Sequence, residues 1–127
     1  MAFWNAPLDC EDHANKAVHA AKEISEKADE LIKEYEEQGL PRIDVGIGIS
    51  TGECIVGNMG SELRFDYSVI GDAVNLGARL EGQTRNYDGV DLLLSDRTHQ
   101  LCPSRTFRQV DTIKVKGKEE QTTIFTC

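Results

Sequence analysis

The chain has 127 residues, 39% of them hydrophobic, which fits one domain with a modest core and leaves little room for a second. Acidic residues outnumber basic ones 22 to 14, for a net charge of -8, and this excludes a general nucleic-acid binder, because neutralising phosphates requires a basic face. No apolar run approaches the roughly 20 residues of a membrane-spanning helix, and the start M-A-F-W-N-A-P-L-D-C lacks the basic flank and apolar centre of a secretory leader.

The expectation is therefore a soluble, intracellular chain. Phe3, Trp4 and Leu8, with Pro7 and the acidic Asp9, Glu11 and Asp12, look like the exit from a strand into a loop. An aromatic pair beside the first residue reads as the tail of a buried segment whose beginning lies outside this chain. From His13 to about Gln38 the apolar positions Ala17, Ala20, Ala21, Ile24, Ala28, Leu31, Ile32 and Tyr35 follow a 3.6-residue period. The spacing predicts a long amphipathic helix, capped by Asp12, ended by Gly39 and barred from continuing by Pro41.

Ile43 to Ser50 alternates strictly. Ile43, Val45, Ile47 and Ile49 share one strand face, under the helix, while Asp44, Gly46, Gly48 and Ser50 share the other. The glycine side suits a ligand or another chain approaching closely. Thr51-Gly52-Glu53 reads as a tight turn, Cys54-Ile55-Val56 as a short strand returning in a hairpin, and Gly57 to Ser61 as a loop.

Arg64 to Glu81 changes period midway. Phe65, Tyr67 and Val69 fall on one strand face, and Asp66, Ser68 and Ile70 on the other. Gly71 and Asp72 break the alternation, with Asp72 expected as a helix cap. Ala73, Leu76, Gly77 and Leu80 then face inward at helical spacing, which leaves Asn75 and Arg79 together on another face. A polar connection from Gly82 to Gly89 leads to a buried strand at Val90–Leu94 and a brief helix from Ser95 or Asp96 through Leu101. Phe107–Lys116 and Thr122–Phe125 predict a terminal hairpin around a charged turn.

Asn75 and Arg79 are the strongest candidate site: a guanidinium offers its fork of donors to a phosphate, and an amide can orient a sugar or ring oxygen. Such i, i+4 polar pairs are also common on plain helix surfaces. Ser68 could bond a ligand from the strand. Asp66 and Asp72 are expected to be structural rather than metal ligands. The glycines at 46, 48, 52, 57 and 60 match no phosphate-loop pattern. His13, His19 and His99 are scattered, with no triad spacing, and the Lys114 to Lys118 cluster reads as a solvated hairpin. Cys10, Cys54, Cys102 and Cys127 contain no C-x-x-C pair and are expected as ordinary reduced thiols.

Several ordered segments together carry a resemblance: A-F-W-N-A-P near the start, V-G-I-G-I-S-T-G-E at 45–53, V-G-N-M-G-S at 56–61, R-F-D-Y-S-V-I-G-D-A-V-N-L-G-A-R-L-E at 64–81, L-L-L-S at 92–95 and V-K-G-K at 115–118. The chain resembles the class III adenylate/guanylate cyclase catalytic domain. The resemblance implies an α+β, ferredoxin-like nucleotide cyclase fold whose sites form between two catalytic domains, as a homodimer or with a second cyclase domain. It implies conversion of ATP, with GTP as the alternative, to the 3',5'-cyclic monophosphate and pyrophosphate. Asn75 would orient the ribose, Arg79 would stabilise charge on the phosphates, and Ser68 would stand at the purine-selecting position, where a serine favours adenine by its likeness to threonine.

The resemblance also implies Mg2+ or Mn2+ in the complete domain, held by two aspartates upstream of the matching region. Those ligand aspartates, the first strand and the metal-site hairpin are not present in this chain, nor is the upstream lysine that selects adenine. The expectation is a carboxy-terminal, truncated cyclase domain spanning 1–127 and inactive alone. It would lie in the cytoplasm or form the cytoplasmic part of a larger membrane-attached protein. The alternatives are a non-catalytic, cyclase-like dimerisation or regulatory module, and a guanylate cyclase.

Overall fold

The structure, a computed structural model, describes residues 1–59, 66–114 and 121–127. The long helix forms as the spacing predicts, α1 at His13–Glu37. Asp12 stands at its cap position without bonding the first-turn amides through its side chain. Its Oδ1 instead accepts from Asn15 Nδ2 at 2.8 Å. Gly39, at φ 70, turns the chain out of the helix.

Three strand expectations change. The predicted strand at Ile43–Ser50 contracts to β1, Ile47–Ile49. It does not return as a hairpin through Cys54–Val56. The next strand, β2 at Ile55–Met59, takes in Gly57, Asn58 and Met59 from the expected loop and pairs antiparallel with β3, Asp66–Ile70. Alternation reveals which face a side chain joins and is silent on the partner strand, so the hairpin forms one strand later than the pattern predicts. The segment preceding α1 holds no strand, so the amino-terminal strand exit is not found, although the Phe3 ring packs against Tyr67 with centroids 5.8 Å apart.

Helix α2 runs over Asp72–Gln83, followed by a 3-10 turn at Thr84–Asn86. Its cap is Gly71 rather than Asp72, because the junction with β3 needs φ 154, a conformation that side chains resist. A Cβ there would also stand 3.1 Å from the Glu53 carbonyl oxygen. Next come β4 at Leu92–Ser95, α3 at Asp96–Gln100, β5 at Arg108–Lys114 and β6 at Gln121–Thr126. The terminal hairpin is as expected, with its charged turn at 117–120 outside the described residues, as are Lys116 and Lys118.

The strands form a four-stranded sheet in the order β1-β4-β6-β5 and a separate two-stranded ribbon, β2-β3. β1 pairs parallel with β4, Ile47 opposite Leu92, and the other contacts in the sheet are antiparallel. One side of the sheet buries Ile49, Leu92 and Leu94 against Ala14, Ala17, Val18 and Ala21 of α1. The opposite side buries Leu93 and Ile124 against Leu80 of α2, with Leu76, Tyr87 and Val110 beside them. The result is an α+β arrangement in three layers.

The glycine face of β1 receives α2 at close range. A Cβ at Gly48 would lie 2.1 Å from the Gly77 carbonyl oxygen and 2.5 Å from the Glu81 amide, and one at Gly46 would lie 2.5 Å from Thr84 Oγ1. Strand and helix backbones therefore touch directly. Hydroxyls fasten the far end of the strand: Thr51 Oγ1 meets Thr98 Oγ1 at 2.7 Å, and Ser95, whose Oγ accepts from the Thr98 amide, caps α3. Because backbone cannot retreat as a side-chain tip can, Gly48→Ala is expected to destabilise the fold by about 3 kcal/mol, read as a lower urea midpoint with an unchanged slope.

Candidate functional site

Helix α2 decides where the candidate residues point. Leu80 is fully buried and Leu76 packs beside it, so Asn75 and Arg79, one turn apart, are turned away from the sheet. Asn75 is exposed, and its backbone N–H donates to the Gly71 carbonyl at 3.2 Å, in the first turn of the helix. Arg79 is half-buried. Its Nε is wholly enclosed yet has no hydrogen-bond partner among the described residues, an uncommon condition for a buried donor.

Ser68 lies at the centre of β3, opposite Gly57 of β2. It shares its ribbon face with the opposed pair Ile55 and Ile70, which are 69% and 50% exposed, whereas Val69 on the reverse is buried. All three candidates thus occupy outward surfaces. A groove of about 1190 Å³ runs beside β1 between α1 and α2, lined in part by Ala17, Ala21, Gly48, Ala73, Gly77 and Ala78, and neither Ser68, Asn75 nor Arg79 reaches it. β1 has a ladder partner, β4, on one edge only among the described residues.

Sequence reasoning did not single out Ser50, whose buried Oγ also has no partner among the described residues and which lines the groove. Nothing in its sequence surroundings distinguishes it from other strand-end serines. Asp66 has its backbone in β3. Asp72 opens α2, where a carboxylate suits the positive end of the helix dipole. Among the described residues, no group of three His, Cys, Asp or Glu side chains is placed to hold a metal ion. His99 stacks on Phe125 at 3.9 Å and meets Phe107 edge-on at 5.5 Å, a packing role. All four cysteines are free. Burial pushes the Cys102 and Cys127 thiols up, which favours their protonated form.

The residues 1–126 match the family model of the adenylate and guanylate cyclase catalytic domain. The chain belongs to this family. Relatives similar to it include an adenylate cyclase of Anabaena cylindrica, 40% identical over 97% of this chain and 25% of that protein, and adenylate cyclase 1 of Rhizobium meliloti (strain 1021), 34% identical over 98% of this chain and 19% of that protein. Its fold is similar to the crystal structures of the adenylyl cyclase CyaB from P. aeruginosa, with a TM-score of 0.83 and 29% identity, and of the guanylyl cyclase Cya2, with 0.81 and 32%. Each match covers 97% of this chain, against 63% and 61% of those chains. The cyclase domain described here thus spans no more than a quarter of these two curated relatives and under two thirds of the two solved chains.

Just beyond the 3-10 turn that follows α2, a side-chain bond ties the chain to the sheet. Tyr87 packs beside Leu76 and Leu80, and its hydroxyl donates to Asp111 Oδ2 on β5 at 2.6 Å. That bond, then burial and the charge of Asp111, pushes the Tyr87 phenol up to about 12, and the same bond with the Thr112 amide holds Asp111 below the usual carboxylate range. A raised phenol contributes stability below its ordinary value that disappears as pH rises through about 12. A lowered carboxylate contributes stability above its ordinary value that disappears as pH falls through the lowered one. Of the three tyrosines, one is expected to ionise near pH 12 in an ultraviolet titration of the folded cyclase domain; Tyr87→Phe is expected to remove that step, and retention of it in this variant would contradict the assignment.

Proposed function

We propose that this cyclase domain supplies the ribose- and phosphate-orienting part of an adenylate cyclase site, which converts ATP to 3',5'-cyclic AMP and pyrophosphate. The observation that carries this reading is Arg79, whose enclosed Nε lacks an acceptor among the described residues, on a helix face shared with Asn75. Leaving such a donor unpaired costs roughly 1–3 kcal/mol. The rest of the half-buried guanidinium can offer its donors to an anionic oxygen arriving with substrate, a charge-assisted bond.

In the reaction the ribose 3'-hydroxyl gives its proton to water as its oxygen attacks the α-phosphorus, the new ester bond closes the ring, and the bond to the pyrophosphate oxygen breaks with its electron pair leaving on pyrophosphate. Negative charge grows on the oxygens around that phosphorus, where the Arg79 guanidinium stabilises it more in the transition state than in the ground state. The Asn75 amide holds the ribose so that its 3'-oxygen lies in line with the leaving group. Ser68 offers a hydroxyl to the purine edge and favours adenine, in keeping with the adenylate cyclases among its relatives. GTP is the second candidate, supported by the likeness to the guanylyl cyclase Cya2. Among the described residues no donor set for a divalent ion assembles, so no step is assigned to a metal held by them. Mg2+ or Mn2+, bound by residues beyond those described, would neutralise the triphosphate in a complete domain.

The outward placement of Ser68, Asn75 and Arg79 supports a site closed by a second surface, from a second copy or another cyclase domain. The one-sided pairing of β1 and the groove beside it support a ferredoxin-like sheet that gains a further strand in the whole domain. Among the described residues no helix is long and apolar enough to cross a membrane; the location proposed is the cytoplasm, free or attached to a larger membrane protein. A non-catalytic pairing module is the second reading, favoured by the exposed Ile55 and Ile70.

In the intact cyclase, Asn75→Ala and Arg79→Ala are each expected to lower kcat about a hundredfold with little change in KM. Unchanged kcat in both refutes the catalytic assignment, and a change confined to KM reduces it to uniform binding. The 127-residue chain alone is expected to form no cyclic AMP with Mg2+ or Mn2+, and sustained turnover in a cyclic AMP assay would overturn that expectation.

A further inference from the structure

Helix α2 is supported at both ends of the strand order. The sheet runs β1-β4-β6-β5, and at the β1 end Gly48 meets the backbone of α2 directly. Leu80 rests on Leu93 of β4 and Ile124 of β6 in the middle. At the β5 end stands Tyr87, which packs on that cluster together with Leu76 and Val110 and whose hydroxyl donates to Asp111 Oδ2 at 2.6 Å. β1 and β5 are three strand spacings apart, about 14 Å, so the two supports bear on opposite flanks of the helix. The β5 support has its own construction. The β5-β6 ladder shifts register between Gln109 and Asp111, a bulge that lets Val110 join the apolar cluster while Asp111 is aimed at Tyr87. The second carboxylate oxygen, Oδ1, accepts from the backbone N–H of Thr112 at 2.7 Å, which orients the acceptor. The bond pushes the Tyr87 phenol up and holds the Asp111 carboxyl below its usual range, so donor and acceptor keep their roles through neutral pH.

We propose that Tyr87 is a positioning residue for the cyclase reaction: through its bond to Asp111 it fixes the tilt of α2 over the sheet, and with it the depth at which Asn75 and Arg79 meet the nucleotide. Leu76 and Leu80 follow Asn75 and Arg79 directly in the chain, on the same two turns of α2. What the inner side of those turns rests on therefore sets where the outer side stands. The glycine contact sets the height and rotation of the helix at one flank, and Tyr87 holds the other. Without its hydroxyl the ring still packs, but its tie to β5 is gone and α2 can tilt about the glycine contact. An in-line displacement tolerates little of this, since misplacing a reacting group by about 1 Å costs on the order of a hundredfold in rate. Tyr87 acts on substrate only through the two side chains on α2. The inference rests on the reading of Asn75 and Arg79 as ribose and phosphate contacts, and it adds the residue that holds them in place.

The test is a double-mutant cycle in the intact cyclase, Tyr87→Phe with Asp111→Ala, read as kcat and KM for ATP. Each single variant is expected to lower kcat about tenfold while KM stays within about twofold. The double variant is expected to lose no more than either, because both substitutions remove the same bond. Asp111→Asn keeps an acceptor for the hydroxyl and is expected to retain most of the rate that Asp111→Ala loses. Ser25→Ala removes a hydroxyl bond to Asp91 on the α1 side of the sheet and is expected to leave kcat unchanged, which separates positioning from a general loss of stability. Unchanged kcat in Tyr87→Phe overturns the proposal. So do additive losses in the double variant, equal losses in Asp111→Asn and Asp111→Ala, or a loss in Ser25→Ala as large as that in Tyr87→Phe. Failure of the underlying reading has a different signature: Asn75→Ala and Arg79→Ala then keep full kcat, and the inference falls with them, whereas an impaired Arg79→Ala beside an intact Tyr87→Phe defeats the inference alone.

Discussion

Direct contact between the backbone of α2 and the glycine face of β1 sets the rest of the molecule. With Gly46 and Gly48 beneath it, the helix comes so near the strand that no side chain fits between them. This closeness fixes the helix in both height and rotation. Leu76 and Leu80 are then committed to the core over Leu93 and Ile124, and Asn75 and Arg79 have no direction left but outward. On the other side of the sheet the alanines of α1 play a similar part with side chains in place of bare backbone, letting a long helix lie close over Ile49, Leu92 and Leu94. The orientation of the candidate site is thus settled by residues that carry no chemistry of their own.

Much of this was legible from residue order, and the failures share a cause. α1 was readable almost to its last residue, because six turns of apolar spacing end at Gly39 and Pro41. β4, α3 and the β5-β6 hairpin were readable for similar local reasons. What local pattern does not encode is partnership. The alternation at Ile43–Ser50 correctly separated an isoleucine face from a glycine face, but it contained nothing to say that β4 lies alongside or that α2 covers the glycines. The same holds at the site. Spacing placed Asn75 and Arg79 on one face, and alternation separated Ser68 from Val69, whereas the enclosure of Arg79 Nε and the register of Ser68 with Gly57 depend on distant segments.

The two open features of the surface are distinct in character. The groove beside β1 is walled by small apolar side chains and a strand edge with no ladder partner among the described residues, the surroundings in which more protein packs well. The faces bearing Ser68, Asn75 and Arg79 combine isolated polar groups with open space over Gly57 and Gly82, the surroundings in which a polar ligand is recognised. A cyclase domain built this way keeps its open apolar groove apart from its open polar faces. Changes on one can leave the other intact.

The split between ribbon and sheet also orders the events of folding. β2 and β3 are neighbours along the chain, so Ile55 meets Ile70 after a short loop closes, at small entropic cost. β1 has no such neighbour: Ile47 must find Leu92 after the ribbon, α2 and the turn beyond it have intervened. Until that parallel pair forms, the glycine face has no sheet to belong to and α2 has nothing to rest on. Pairings so distant in sequence slow folding, which makes the assembly of the helix carrying Asn75 and Arg79 a late event, completed only when the two ends of this long loop are brought together.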